Sequence, residues 1–310
     1  DYLSYLNNTG WSTTHSVSVS GGNKAVRYYL STGYADSQGL YSGIGRNRLN
    51  YMGKIDAELG KGLTLSFAAN GSHTKAQNSS YYTIDNAYAF SPLQVVRFEN
   101  GDLASIDGSN PLIAIEGLGG YMKNKSKMNT VTANLNWEVP FVKGLSMYIR
   151  GTFDDNLRIE TTFDKPVTLY TYDNTTGTYA VDVNTVYPTA KVSLEQDDHF
   201  FDSQLYEAGM NYMRTFNEKH DVESTVVTNY QRTHTQYMYG TNLDKSIYPE
   251  VLGSAQTAEL YGDEMYNQRA SLIGRAKYGY DNRYFAEFSF RVDGSNNFHP
   301  DHRWGFFPSF

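Results

Sequence analysis

The chain has 310 residues, a formal net charge of -7 and no cysteine. The acidic balance, with no Lys/Arg run or basic stripe, argues against nucleic acid as a partner, and the lack of thiols excludes a disulfide framework, a cysteine-ligated zinc site and a thiol nucleophile. The 27 tyrosines, 27 glycines and 16 phenylalanines suit strands and tight turns. No apolar run approaches the roughly 20 residues of a spanning helix, but a spanning strand of about 9–11 residues is apolar only at alternate positions, so low mean hydropathy does not count against a transmembrane barrel.

A period of two residues appears first around GGNK, where HSVSVS and AVRYYLSTGY predict strands near 14–20 and 25–35. Tyr51, Gly53, Ile55, Ala57 and Leu59 then alternate with Lys54, Asp56 and Glu58. After GKG, Leu63, Leu65, Phe67 and Ala69 alternate with Thr64, Ser66 and Asn70, which predicts strands near 47–59 and 63–76. A long connection runs from Ala76 to Lys127. Beyond it Val131, Ala133, Leu135, Trp137 and Val139 alternate with Thr130, Thr132, Asn134, Asn136 and Glu138. Past PFVKG, Leu145, Met147, Ile149, Gly151 and Phe153 alternate with Ser146, Tyr148, Arg150, Thr152 and Asp154. These are strands near 128–139 and 145–162. Weaker alternation flanks NEKH, near 204–216 and 221–239.

The last pair is the clearest. Leu272, Gly274, Ala276, Tyr278 and Tyr280 alternate with Arg275 and Lys277, and Tyr284, Ala286, Phe288, Phe290 and Val292 with Glu287, Ser289, Arg291 and Asp293. This predicts strands near 268–280 and 284–293. A three-residue turn at 281–283 sets Tyr280 against Tyr284, Ala276 against Phe288 and Lys277 against Glu287.

About ten strands result, with short and long connections in strict alternation. That asymmetry has no cause in a soluble sandwich, whereas a transmembrane barrel has tight periplasmic turns and large extracellular loops. The expected fold is therefore all-β, an antiparallel transmembrane β-barrel segment. Residues 76–127, 163–203 and 240–265 are the expected extracellular loops. The apolar face points to lipid. Lys54, Asp56, Glu58, Arg150, Asp154, Glu207, Arg275, Lys277, Glu287 and Arg291 face the lumen, and Tyr278, Tyr280 and Tyr284 form a periplasmic girdle.

Three stretches also resemble a known family: HSVSVSGGNKAVRYYLSTGYADSQGL, VKGLSMYIRGTFD, and LIGRAKYGYDNRYFAEFSFRVDGSNNF running into HRWGFFPS. They are similar to the barrel segments of SusC-like (SusC/RagA-type) TonB-dependent outer-membrane transporters of Bacteroides-type Gram-negative bacteria. The resemblance implies a 22-stranded barrel with an N-terminal plug, a SusD-like surface lipoprotein as partner and energy from the TonB complex. It also implies a dimer of transporter–lipoprotein pairs, and an oligosaccharide or a peptide as cargo. With no plug, TonB box or remaining strands in the sequence, the chain reads as a middle part of such a barrel, without catalytic residues or cofactor. The rivals are a passive porin, against which RWGFFPS and the loop sizes speak, and a soluble β-rich glycan-binding protein.

Loop aromatics Tyr81, Tyr82, Tyr88, Tyr170, Tyr172 and Tyr179 are candidates for contact with ligand or partner, against the plainer reading of loop-on-loop packing. YAFSPLQVVRF and NPLIAIEGL, at 88–98 and 110–118, make the first long loop apolar enough to fold over the barrel mouth or against the lipoprotein. HPDH at 299–302 and QDDHF at 196–200 read as solvated loops before metal sites. DGSN, at 107–110 and 293–296, reads as turn chemistry before a calcium loop.

Overall fold

A computed structural model describes residues 2–6, 9–79, 90–91, 93–183, 192–243, 251–254 and 258–310. Its strands are β1 (Trp11–Gly22), β2 (Val26–Gln38), β3 (Gly45–Gly60), β4 (Leu63–Asn78), β5 (Gly120–Glu138), β6 (Leu145–Asp164), β7 (Tyr170–Asp173), β8 (Thr178–Val181), β9 (Ser193–Phe216), β10 (His220–Leu243), β11 (Ala258–Tyr280), β12 (Tyr284–Ser295) and β13 (Trp304–Ser309). Eleven of them form one sheet in the order β1-β2-β3-β4-β5-β6-β9-β10-β11-β12-β13, and β7 and β8 form a separate hairpin. Each strand of the large sheet pairs antiparallel with its neighbours. No helix among the described residues is long and apolar enough to cross a membrane.

All ten expected strands are present, and β13 adds an eleventh that the alternation did not reveal. Its sequence, WGFFPS, is aromatic on both faces. The strands are also longer than their apolar alternation. β9 begins at Ser193 and β11 at Ala258, because backbone pairing continues where the apolar alternation is lost. The connections shrink accordingly to 79–119, 165–192 and 244–257, against the expected 76–127, 163–203 and 240–265. Strict alternation of lengths does not hold either, since 39–44 and 139–144 both span six residues.

Local chemistry fixes the tight ends. Asp281 and Asn282 both have φ of 53°, and the Arg283 N–H donates to the Tyr280 carbonyl at 3.0 Å. Asn217 and Glu218 repeat that left-handed pair with φ of 49° and 58°. Such turns match the right-handed twist of the strands they join. The turn at 281–283 gives the expected register, Tyr280 against Tyr284 and Ala276 against Phe288. At Gly144, φ is 89° and a Cβ would lie 2.0 Å from the Met213 carbonyl oxygen, so the β5–β6 connection needs glycine there.

The sheet itself buries little. The buried apolar residues lie in connections or at strand ends, and the main group is Val96, Leu103, Ile106, Leu112, Ile113, Ile115 and Leu169. Its centre is a single-turn helix, α1 (Leu112–Ile115). Buried Asn110 ties the group together: its Nδ2 donates to the carbonyls of Val96 and Ala104 at 2.7 and 2.8 Å, and its Oδ1 accepts from the Leu112 N–H at 2.8 Å. The β7–β8 hairpin joins through Tyr170, whose N–H donates to Leu103 and whose carbonyl accepts from Ser105. Residues 90–118 thus share a core with the next long connection.

Candidate functional site

Register carries chemistry across the whole sheet, because directly paired residues point to the same side. One unbroken row pairs Lys277 with Glu223 and with Glu287. Another runs from Arg27 through Asp56, Ser66, Asn134, Arg150 and Glu207 to Asn229. Lys54, Glu58, Asp154, Arg275 and Arg291 stand an even number of residues from members of these rows. All ten charged candidates therefore share one face.

That face is a network of short polar contacts. Lys54 pairs with Asp56 at 3.2 Å, and Asp56 accepts the Ser66 hydroxyl at 2.6 Å. Arg150 approaches Glu207 at 3.6 Å, and the Tyr148 hydroxyl donates to the same carboxylate at 2.9 Å. Asp154 accepts the Thr130 hydroxyl at 2.7 Å. Arg291 pairs with Asp293 at 2.5 Å, and Asp293 also accepts from Ser271. Those bonds hold Asp293 inside β12, so the second DGSN, expected as a turn, continues the strand to Ser295. The first is a turn, with Asp107 at φ of 51°.

The opposite face is apolar and open. Leu30 is 52% exposed, Ile149 59% and Tyr206 55%, although all three are large apolar or aromatic side chains in the middle of paired strands. Such a face is normally covered by a second layer when a sheet works in water. Its apolar stretch ends at one level. From the tight turns it runs from Phe216 to Tyr206, His220 to Tyr230 and Tyr280 to Ala270, eleven residues each, interrupted near the turn by Arg214, whose guanidinium lies over the Phe216 ring at 4.7 Å, and these ends meet in one ladder row. The length matches the roughly 9–11 residues of a membrane-spanning strand. Aromatics mark both limits: Tyr278, Tyr280, Tyr284 and His220 by the turns, Tyr206 and Tyr230 at the far end.

Above that level the same face turns polar. His234 lies between Asp202 (Nδ1 to Oδ1, 3.0 Å) and Glu264 (Nε2 to Oε1, 2.8 Å), and its ring stacks on Tyr266 at 4.3 Å and 6°. The contact with Asp202, reinforced by Glu264, holds the imidazole above its ordinary pKa. On the opposite, charged face and further out, Glu195 is pushed up mainly by burial and then by Asp164 and Asp197. The sequence reading missed this cluster. Its signal was the switch at steps of two from Val226 and Tyr230 to Arg232 and His234.

Of the loop aromatics, Tyr81, Tyr82 and Tyr88 lie outside the described residues. Tyr172 and Tyr179 meet with ring centres 5.0 Å apart, and Phe98 lies 5.0 Å from Tyr179. Both tyrosines keep about 40% of their surface exposed. Tyr170 is half-buried by its part in the loop core. In HPDH, His299 and Asp301 approach to 3.5 Å with more than two thirds of each side chain in solvent. Among the described residues no three metal-ligating side chains converge.

No family model matches the sequence. Curated relatives do, among them TonB-dependent receptor P39 of Formosa agariphila, 26% identical over 94% of this chain and 27% of its own length, and TonB-dependent receptor SusC of Bacteroides thetaiotaomicron, 25% identical over the full chain and 31% of its own length. The fold agrees with the RagAB peptide importer in its open-open state (TM-score 0.74, 18% identity, 99% of this chain and 34% of that one). The chain is similar in sequence and in fold to a barrel segment of SusC-like TonB-dependent receptors. A more distant likeness, to the ferripyoverdine receptor of Pseudomonas aeruginosa, has a TM-score of 0.53 at 12% identity, over 94% of this chain and 36% of that one. The chain spans about a third or less of the length of these curated relatives and of the RagAB chain.

Proposed function

We propose that the whole protein is an active importer in the outer membrane of a Bacteroides-type bacterium. In this reading the sheet is barrel wall, with its apolar face on lipid and the ten charged residues on the lumen side. The protein catalyses no reaction, works with a SusD-like surface lipoprotein and takes its energy from the TonB complex. The observation that carries this reading is the eleven-residue apolar band, level across β9, β10 and β11 and backed by a charged face. Lipid accounts for the band, and a water-filled interior accounts for the charges.

Its cargo is an oligosaccharide. The partly exposed Tyr172 and Tyr179 rings beside Phe98, on a loop with its own core, give a firm aromatic surface of the kind that stacks on sugar rings. The 90–118 segment closes over the barrel mouth against the lipoprotein. The test is purification of the whole receptor from outer membranes in mild detergent, followed by the mass of the intact chain, of anything that co-purifies and of bound cargo. The expected result is a chain about three times longer, with a lipoprotein attached and glycan binding weakened by Tyr179→Ala. A lone chain of 35.0 kDa released without detergent would overturn the importer, and peptide in place of glycan would overturn the cargo.

A further inference from the structure

Four lysines stand together on the apolar side of the sheet, just beyond its greasy band. On β5 the band runs from Trp137 to Val131, and Lys127, Lys125 and Lys123 follow on the same face at steps of two. On β4, Lys75 is directly opposite Lys125, and His73 is opposite Lys127. Neighbouring lysines on β5 are therefore separated by about 6.7 Å of strand, and the Lys75–Lys125 pair has Cβ atoms about 4.5–5.5 Å apart.

The cluster has little to neutralise it. Lys75, Lys125 and Lys127 are exposed, and among the described residues none of them makes an ion pair. Their partners on β6 are Leu157 for Lys127 and Ile159 for Lys125, and Thr161 faces Lys123. On the other side Lys75 meets Asn47, and the nearest acids in that row are Asp36, two strands from Lys75, and Asp198, two strands from Lys125. Asp155 lies opposite Asn129, one step nearer the band. Lys123 rests over the Tyr121 ring at 3.6 Å. Facing like charges oppose strand pairing, so the arrangement costs stability unless an anion lies over it. A groove of about 770 Å³ opens at the same place, lined by Asp36, Asn47, Lys75, Gln77, Lys123 and Lys125.

We infer that this lysine group binds the phosphorylated headgroup of a lipid in the outer leaflet, whose acyl chains lie along the apolar band below. The height fits. With strands tilted about 35–45°, ten residues of rise at about 3.3 Å each put Lys127 about 25 Å above Trp137, the height of a barrel's apolar band, with Asn129 between it and the last apolar residue of that face, Val131. Lys125, Lys123 and Lys75 then sit at headgroup level. A lipid, unlike a free anion, joins the charged groove to the apolar surface continuous with it. The inference rests on the assignment of the apolar face to lipid.

The test uses the whole receptor purified from outer membranes in mild detergent, as wild type, as the triple variant Lys75→Gln, Lys125→Gln, Lys127→Gln, and as the corresponding Lys→Arg triple. Bound lipid is extracted and quantified by mass spectrometry per mole of receptor. With three positive charges removed, the glutamine triple is expected to retain at least about tenfold less phosphorylated lipid. The arginine triple keeps the wild-type amount, and the delipidated glutamine triple melts no lower than wild type. Equal lipid in wild type and glutamine triple overturns the site, as does saturation of the site by inorganic phosphate alone without any acyl chain. A bromolipid quenching measurement at Ile149→Cys, carrying a fluorophore, separates the two levels of the argument. Quenching there with unchanged lipid retention overturns only the lysine site. Absence of quenching overturns the face assignment beneath it.

Discussion

Lys277 stands directly opposite Glu287 in the β11–β12 ladder, yet the Glu287 carboxylate is held by Arg275, whose Nε lies 2.7 Å away. Lys277 turns to the other ladder and meets Glu223 at 3.7 Å. Register places charges near one another, and side-chain reach decides which pairs form. The longer, forked guanidinium takes the diagonal carboxylate, while the ammonium takes the neighbour left over.

Glu287→Gln should therefore disturb the sheet more than Lys277→Gln. Both changes are small because these side chains are about half exposed, and both fade at high salt. Heat-induced loss of the folded electrophoretic form, compared at low and molar salt, checks this. A larger effect for Lys277→Gln would mean that the directly opposite pair carries the contact.

Ala276 lies on the apolar face, one residue from Lys277. Ala276→Arg is expected to cost about 2–4 kcal/mol near the midplane of a barrel wall, while Lys277→Ala costs little. Urea unfolding of the whole receptor in lipid vesicles measures both, and the reverse order would invert the faces.

Gly144→Ala forces a Cβ toward the Met213 carbonyl from a left-handed backbone, beside the bond from the Met213 N–H to the Gly144 carbonyl at 2.9 Å. Strain of this kind costs about 1–3 kcal/mol. The same unfolding measurement should show it, whereas Gly253→Ala, with open space at its Cβ, should change little.

His234 gives a pH signature. Its contact with Asp202, and then with Glu264, holds its pKa above the unfolded value, so folding favours the imidazolium. The stabilisation is complete below about 6.5, the unfolded value, and is lost as pH rises through the raised folded pKa. The melting difference between wild type and His234→Gln should be larger at acidic than at alkaline pH. A difference that grows toward alkaline pH would contradict the geometry.

Leu112 is fully buried in the loop core. Leu112→Ala is expected to weaken that core by about 2–5 kcal/mol while the barrel stays folded. Limited proteolysis should then cut within 90–118 in the variant and spare the wild type, with the heat-resistant barrel band unchanged in both.

The sheet was legible where its two faces differ. From Leu145 to Asp154 each apolar residue alternates with a polar one, and both β6 and the charged set could be read directly. Where the faces become alike the signal fails although pairing continues: Glu195–His199 is polar on both sides, and Trp304–Phe307 is aromatic on both. Pairs within the charged face were legible as register only. The loop core was legible as an apolar excess in 110–118, but not the contacts that Asn110 and Tyr170 bring from elsewhere in the chain. The lysine group escaped notice because its members come from two strands separated by the longest connection.

The central claim is that odd residues of β6 face lipid and even ones face water. The chain has no cysteine, so single cysteines from Met147 to Asp154 can be placed one at a time in the whole receptor, with any cysteines outside this segment replaced. In native-like bilayers a lipid-borne quencher should reach positions 147, 149, 151 and 153, and a water-soluble maleimide should label 148, 150, 152 and 154. Equal behaviour of the two sets, or lipid contact by the even one, would contradict the account.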